Sequence, residues 1–134
     1  MRLTIWGPDG STKKRIRLND KGIIDTNAIT AFMKGHCHSL ALAINRIKSF
    51  PIIAIKDSVD SFDSPSHLCV KTKDDYLDII GLGAIERAKQ KWNIIGVQEV
   101  KPEQVYAFER YLKPRPDLAM RFAMSLLREQ GLVH

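Results

Sequence analysis

The stretch that most constrains the fold is CHSLALAINRIK, residues 37 to 48. Leu40, Ile44 and Ile47 fall on one side of a helix and alanines fill the remaining space, which predicts a largely buried helix. Gly35 lies just ahead of this helix and permits an unusual backbone turn there. The sequence therefore predicts a core helix with Cys37 at its N-terminus.

The length of 134 residues is about the usual size of one compact domain. The composition is ordinary for a globular protein and no segment is repetitive or of low complexity, so we expect a single domain over residues 1–134. The opening MRLTIWGPDG lacks the apolar run of a signal peptide, and no segment approaches the roughly 20 apolar residues of a membrane span. We therefore expect a soluble cytoplasmic protein whose two cysteines are free thiols.

The formal net charge is +6, and the basic residues form two patches, one near the N-terminus and one over the C-terminal third. They do not form a stripe interleaved with aromatic side chains, as in single-strand binders. This distribution favours a solvated basic surface over nucleic-acid binding. An acidic protein partner would fit the same charges.

Hydrophobic period and turn residues predict the remaining elements. Strands are expected at 2–6, 14–18, 51–56, 67–72, 76–80 and 94–100. Helices are expected at 25–33, 84–92, from Pro102 to about 113, and 117–130. KDD, residues 73–75, indicates a tight hairpin, and residues 57–66 are expected to form a polar loop. The pattern predicts an α+β fold with a mainly antiparallel sheet packed against the helix of Cys37, with additional C-terminal helices.

The predicted position of Cys37 favours a reactive thiol, because a helix N-terminus stabilises the thiolate, the nucleophilic form of cysteine. Such a nucleophile needs a base, and His67 leads the strand HLCVKT after the polar loop. The backbone amide of Cys37 is the natural first donor to an oxyanion.

The chain order of these pieces resembles that of papain-like and transglutaminase-like cysteine enzymes. The matching pieces are GHCHSLALAI, PIIAI, SHLCVK and YLDIIG, within residues 33–82; residues 1–30 and 84–134 match no family pattern. The resemblance implies Cys37 as nucleophile, His67 as general base and acid, and Asp78 as the group that orients the imidazole.

A two-residue hairpin loop at Asp74 and Asp75 would place Lys71 opposite Asp78, about 13 Å along the strand from His67. That distance is too long for a hydrogen bond unless a bulge or a folded-back His67 shortens it. The alternative is a Cys37–His67 dyad supported by a backbone carbonyl or by Asn27.

Other residues near these motifs have alternative interpretations. His36 and His38 either line a substrate cleft, together with Gly35, or lie in solvent, and Cys69 is expected in the core. An alternative to the cysteine nucleophile is a zinc site built from His67 and Cys69 with ligands from residues 36–38, but the spacing is not typical of zinc ligands. GLGAIE, residues 81–86, carries Glu86 where a dinucleotide fingerprint needs a small residue, so it indicates an ordinary turn. We expect no metal and no cofactor.

The sequence thus predicts a cysteine enzyme that acts on an amide of a protein substrate through a thioester. Peptidase, deamidase and transglutaminase activities stay equally open. Substrate choice would depend on the 57–66 loop and on the C-terminal helices, whose positive charge favours an acidic macromolecule. The alternative is a non-catalytic adaptor or inhibitor that binds an acidic partner through those helices.

Overall fold

The structure is a computed structural model and describes residues 1–7, 12–57, 65–108 and 112–133. An N-terminal hairpin pairs β1 (Arg2–Trp6) with β2 (Lys13–Arg17). The elements that follow are α1 (Thr26–Met33), α2 (Cys37–Lys48), β3 (Ile52–Asp57), β4 (His67–Lys71), β5 (Tyr76–Asp78), β6 (Gly81–Leu82), α3 (Ala84–Lys91), β7 (Ile94–Val100), α4 (Pro102–Val105) and α5 (Pro116–Glu129). Residues 8–11 and 58–64 lie outside the described residues, so the predicted turn at 7–11 and most of the 57–66 loop are not described.

Five strands form one antiparallel sheet in the order β6-β5-β4-β3-β7. Side chains alternate along β3, so Ile52 and Ala54 join the main core cluster while Ile53 and Ile55 join a second cluster. The first contains α2 and the second contains α3. The predicted α+β fold with an antiparallel sheet is confirmed.

Helix α2 is the centre of the main core. Its first eight residues are all buried, and it packs against α5, α1 and β4. Alanines 41 and 43 are 2% and 0% exposed, and such small side chains let neighbouring elements approach closely. The predicted buried helix is confirmed at residues 37–48.

The helix predicted from Pro102 to about residue 113 is wrong in length. Helix α4 ends at Val105, and the next two residues, Tyr106 and Ala107, are exposed. Val105 is 1% exposed and Phe108 packs against the main core, so this segment buries apolar side chains without continuing as a helix. The last helix forms as predicted and is followed by Gly131 with a φ of +70°. In the described part of the chain, every helix is too short or too polar to cross a bilayer.

Candidate active site

Cys37 is the first residue of α2 and is 4% exposed. Gly35 adopts a φ of +126°, which side chains rarely tolerate. A Cβ at this position would also lie 3.0 Å from Leu112 Cδ1 and 3.3 Å from Trp6 Cδ1. The glycine therefore lets the chain turn tightly into α2, as the sequence predicts.

His67 Nε2 lies 3.1 Å from Asp78 Oδ2, and both residues are buried. The hairpin register explains the contact. Lys71 pairs with Tyr76 and Val70 with Leu77, so the register continued by one residue sets Asp78 opposite Cys69. That position is two residues from His67, about 7 Å along the strand, and side chains span this distance.

The predicted two-residue loop at Asp74 and Asp75 is therefore wrong, and Thr72 is the reason. Its hydroxyl donates to the Asp75 carbonyl and accepts from the Asp75 amide, which closes a loop over residues 72–75. The longer loop shifts the register so that Asp78 reaches His67. The alternative candidate, Asn27, instead donates to the carbonyl of Arg17, 2.9 Å away.

The second carboxylate oxygen of Asp78 has its own donors. Oδ1 accepts from Arg87 Nη2 at 2.7 Å and from the backbone amide of Ile80 at 2.9 Å. Arg87 also donates to the carbonyls of Gly81 and Leu82, at 2.8 Å and 2.6 Å. The sequence pattern did not indicate Arg87, because this residue comes from α3, outside the segment that contains Cys37, His67 and Asp78.

The electrostatics favour a charged Cys37–His67 pair. Burial alone would raise the pKa of the Cys37 thiol, but its interactions with His38 and His67, and the charges of those rings, lower that pKa to about 6. Burial alone would lower the pKa of His67, but the hydrogen bond to Asp78 and the interaction with Cys37 raise that pKa to about 9. Between these values the favoured state is a thiolate beside an imidazolium, the reactive form of a cysteine nucleophile.

Asp78 carries the negative charge that stabilises this imidazolium. Burial acts to raise the pKa of the carboxyl, yet the hydrogen bond from His67 and the charges of His67 and Arg87 hold that pKa below its usual range. Nε2 of His67 is directed to Asp78, so Nδ1 is the ring nitrogen that the carboxylate leaves available. The imidazole can therefore exchange a proton at Nδ1 while the carboxylate fixes the ring.

His36 and His38 are not in solvent, so that expectation is wrong. His36 is 2% exposed; its Nε2 donates to the Thr4 carbonyl at 2.8 Å, and its Nδ1 lies 3.2 Å from Ser39 Oγ. Ser39 Oγ in turn accepts from the amide of Arg115. Burial keeps the imidazole neutral by lowering the pKa of His36 to about 4. His36 therefore joins β1, the start of α2 and the segment before α5.

His38 is fully buried, and its Nε2 donates to the carbonyl of Leu112 at 2.6 Å. Its ring stacks on that of His36, with centroids 5.5 Å apart. The interaction of His38 with Cys37 adds a second imidazole to those that lower the pKa of the thiol. Substrate binding by Gly35, His36 or His38 stays a prediction, since these contacts are made within the protein.

Both cysteines are free and buried. Cys69 is 2% exposed and belongs to the cluster with Ile53 and Ile55, so its predicted core position is confirmed. Burial raises the pKa of this thiol well above its usual range. Cys69 is therefore an inert thiol, in contrast to Cys37.

A cavity of about 110 Å³ lies beside the imidazole and the carboxylate. His67, Asp78, Arg87, Lys91 and Trp92 are among the residues that line it, and the rings of His67 and Trp92 lie 5.9 Å apart. A cavity of about 480 Å³ lies at β7 and α4, away from these residues. The site is thus mostly enclosed within the described residues.

The structure also bears on the two alternatives of metal ligation and dinucleotide binding. Over residues 1–7, 12–57, 65–108 and 112–133, no group of three or more His, Cys, Asp or Glu side chains is arranged to hold a metal ion. Gly83, in GLGAIE, is the N-cap of α3 with a φ of +88°, so this segment is the strand-to-helix turn that the sequence indicates.

Comparisons with protein-family models, curated proteins and solved structures found no match.

Proposed function

We propose that the protein is a cysteine enzyme of the papain-like or transglutaminase-like kind that acts on amides through Cys37, His67 and Asp78. The observation that carries the proposal is the buried hydrogen bond from His67 to the Asp78 carboxylate, with Cys37 at a helix N-terminus and its pKa lowered by interaction with that imidazole. Buried neutral cysteines in a core do not need such partners.

The reaction would begin with attack of the Cys37 thiolate on the carbonyl carbon of the amide. The amide of Cys37 would donate to the oxygen that becomes negative. The imidazolium of His67 would then give its Nδ1 proton to the leaving nitrogen as the C–N bond breaks, which leaves a thioester and a free amine.

The thioester would be resolved by a second nucleophile, for which neutral His67 acts as the base. Water would give a carboxylic acid, as in a peptidase or deamidase, and an amine would give a new amide, as in a transglutaminase. The exposed basic residues Lys113, Arg115, Arg121 and Arg128 support an acidic macromolecule as substrate.

The test is incubation with acidic, glutamine-containing peptides, with and without added methylamine, followed by mass spectrometry. Chain cleavage, conversion of glutamine to glutamate and incorporation of methylamine identify the three activities. The thioester should be trapped on Cys37 by acid quenching, and Cys37→Ala should abolish both product and adduct. Absence of every product and of any adduct, across acidic and neutral peptides, would count against the proposal.

One observation favours the second candidate, a non-catalytic adaptor. Cys37 is only 4% exposed, and a substrate carbonyl must reach its sulfur. An adaptor would bind an acidic protein through the basic residues of α5 and the segment before it. In that case, charge reversal at Arg121 and Arg128 should weaken binding while Cys37→Ala leaves binding unchanged.

A further inference from the structure

Arg87 is the one guanidinium that contacts the proposed site within the described residues. It lies on α3 and its side chain is 36% exposed, whereas the side chain of Asp78 is 5% exposed. Its three hydrogen bonds reach Asp78 Oδ1 and the carbonyls of Gly81 and Leu82. The guanidinium is therefore fixed against the turn that follows Asp78.

The Asp78 carboxylate is shared between two cations on its two oxygens. Oδ2 accepts from His67, and Oδ1 accepts from Arg87 and from the Ile80 amide. The charge of His67 changes during the proposed reaction, but a guanidinium stays charged at every pH at which the protein works. Arg87 is thus a permanent partner for the buried carboxylate, and His67 is a temporary one.

We propose that Arg87 is a positioning residue that shares the Asp78 carboxylate with His67, so that the imidazolium can release its proton without leaving a buried carboxylate unpaired. A buried charge without a partner is costly, so His67 alone opposite Asp78 would hold its proton too tightly. The inference deepens the proposed function and depends on it for its catalytic meaning, but its test needs no substrate.

The charged and titratable groups that face His67 come from three elements. Cys37 is presented by α2, Asp78 by β5, and Arg87 and Lys91 by α3, where they line the cavity beside the imidazole. Lys91 is exposed and makes a cation–π contact, 5.0 Å from the Trp92 ring centroid. It is therefore a matched control for Arg87, since it is a cation near His67 without a hydrogen bond to Asp78.

The test is the titration of His67 in the intact protein, followed by the NMR signals of its ring nitrogens and assigned by their loss in His67→Ala. Arg87 and His67 are separated by two hydrogen bonds and one carboxylate. Loss of the guanidinium should leave the Asp78 carboxylate to His67 alone and so raise the pKa of His67 by about one pH unit. Arg87→Gln and Arg87→Met are made in parallel, so that either folded variant gives the answer.

Three comparisons make the result decisive. Arg87→Lys keeps the charge and should show less than half of the shift, and Lys91→Gln should show little shift because an exposed charge is screened. In an Asp78→Asn background, Arg87→Gln should no longer raise the pKa of His67, because the shared carboxylate is gone.

An unchanged or lowered pKa of His67 in Arg87→Gln and Arg87→Met would overturn the inference. So would an equal shift in the Asp78→Asn background, since Arg87 would then act through space. If the titration behaves as expected but no amide is turned over, only the proposed function fails. If amides are turned over and the titration is unaffected, only the role of Arg87 fails.

Discussion

The ionisation of Cys37 can be tested by comparing its alkylation rate with iodoacetamide at pH 5.5 and pH 8.5. The reacting species is the thiolate at both pH values, so the ratio of the two rates cancels steric access and intrinsic nucleophilicity. With the pKa of Cys37 at about 6, the rate at pH 5.5 should be about one quarter of the rate at pH 8.5. A free thiol with a pKa of about 8.5 would give a ratio of about 1/500.

His67→Ala removes one of the two imidazoles that contact the thiol and its positive charge. The pKa of Cys37 should rise, and the ratio of rates should fall at least tenfold. The remaining interaction with His38 opposes the effect of burial on the same thiol. A fall of this size without a change in fold, checked by circular dichroism, would tie the ionisation of the thiol to His67.

The assay should be made in a Cys69→Ala background as well, because the buried Cys69 is the other thiol of the chain. Mass spectrometry of the modified peptide confirms that Cys37 is the residue alkylated. A wild-type ratio near 1/500 would refute the ion pair. An unchanged ratio in His67→Ala would show that the imidazole of residue 67 does not act on the sulfur.

Three further perturbations test the surroundings of the site. In His38→Gln, the amide can keep the bond to the Leu112 carbonyl but removes the second imidazole, so the same ratio of alkylation rates should fall; a wild-type ratio would contradict the contact with Cys37. His36 has a folded-state pKa of about 4, below the unfolded value of about 6.5, so the unfolded state binds the extra proton and stability falls as the pH drops through this window. Urea unfolding should show that the wild type loses about 3 kcal/mol of stability more than His36→Gln between pH 7 and pH 4, and equal losses would show that this imidazole does not titrate as described. Gly35→Ala should lower the free energy of unfolding by about 1–3 kcal/mol because of its positive φ and close neighbours. Gly96→Ala, where a Cβ meets nothing within 4 Å, is the matched control, and an equal loss in both variants would refute the argument.

The fold class and most elements could be predicted because their signals are local. The run from Cys37 to Lys48 carries its own helical period, and Asp25 caps α1 by accepting from the amide of Ala28. The length of α4 could not be predicted, because Val105 and Phe108 are spaced as on one face of a helix and both pack against the main core, although the helix ends at Val105.

The register of the β4–β5 hairpin is a second feature that the sequence pattern could not predict. Two adjacent aspartates, Asp74 and Asp75, indicate a short loop, but the Thr72 hydroxyl closes a longer one with two hydrogen bonds. Shifting the loop by two residues keeps the same face of each strand inward, so the hydrophobic pattern cannot distinguish the two registers. The distance between His67 and Asp78 depends on this choice.

Four ionisable groups can be accommodated beside the core because their charges alternate. Arg87 is positive, Asp78 negative, His67 positive and Cys37 negative when ionised, so each group lies next to one of opposite sign and the set is neutral. Burying ions is tolerated only when each is paired and hydrogen-bonded. The thiolate therefore does not depend on the helix N-terminus alone. It depends on the series of alternating charges that begins at the partly exposed Arg87 and ends at the buried sulfur of Cys37. Neutralising one of these groups removes the partner of the next one and so changes the protonation of that group.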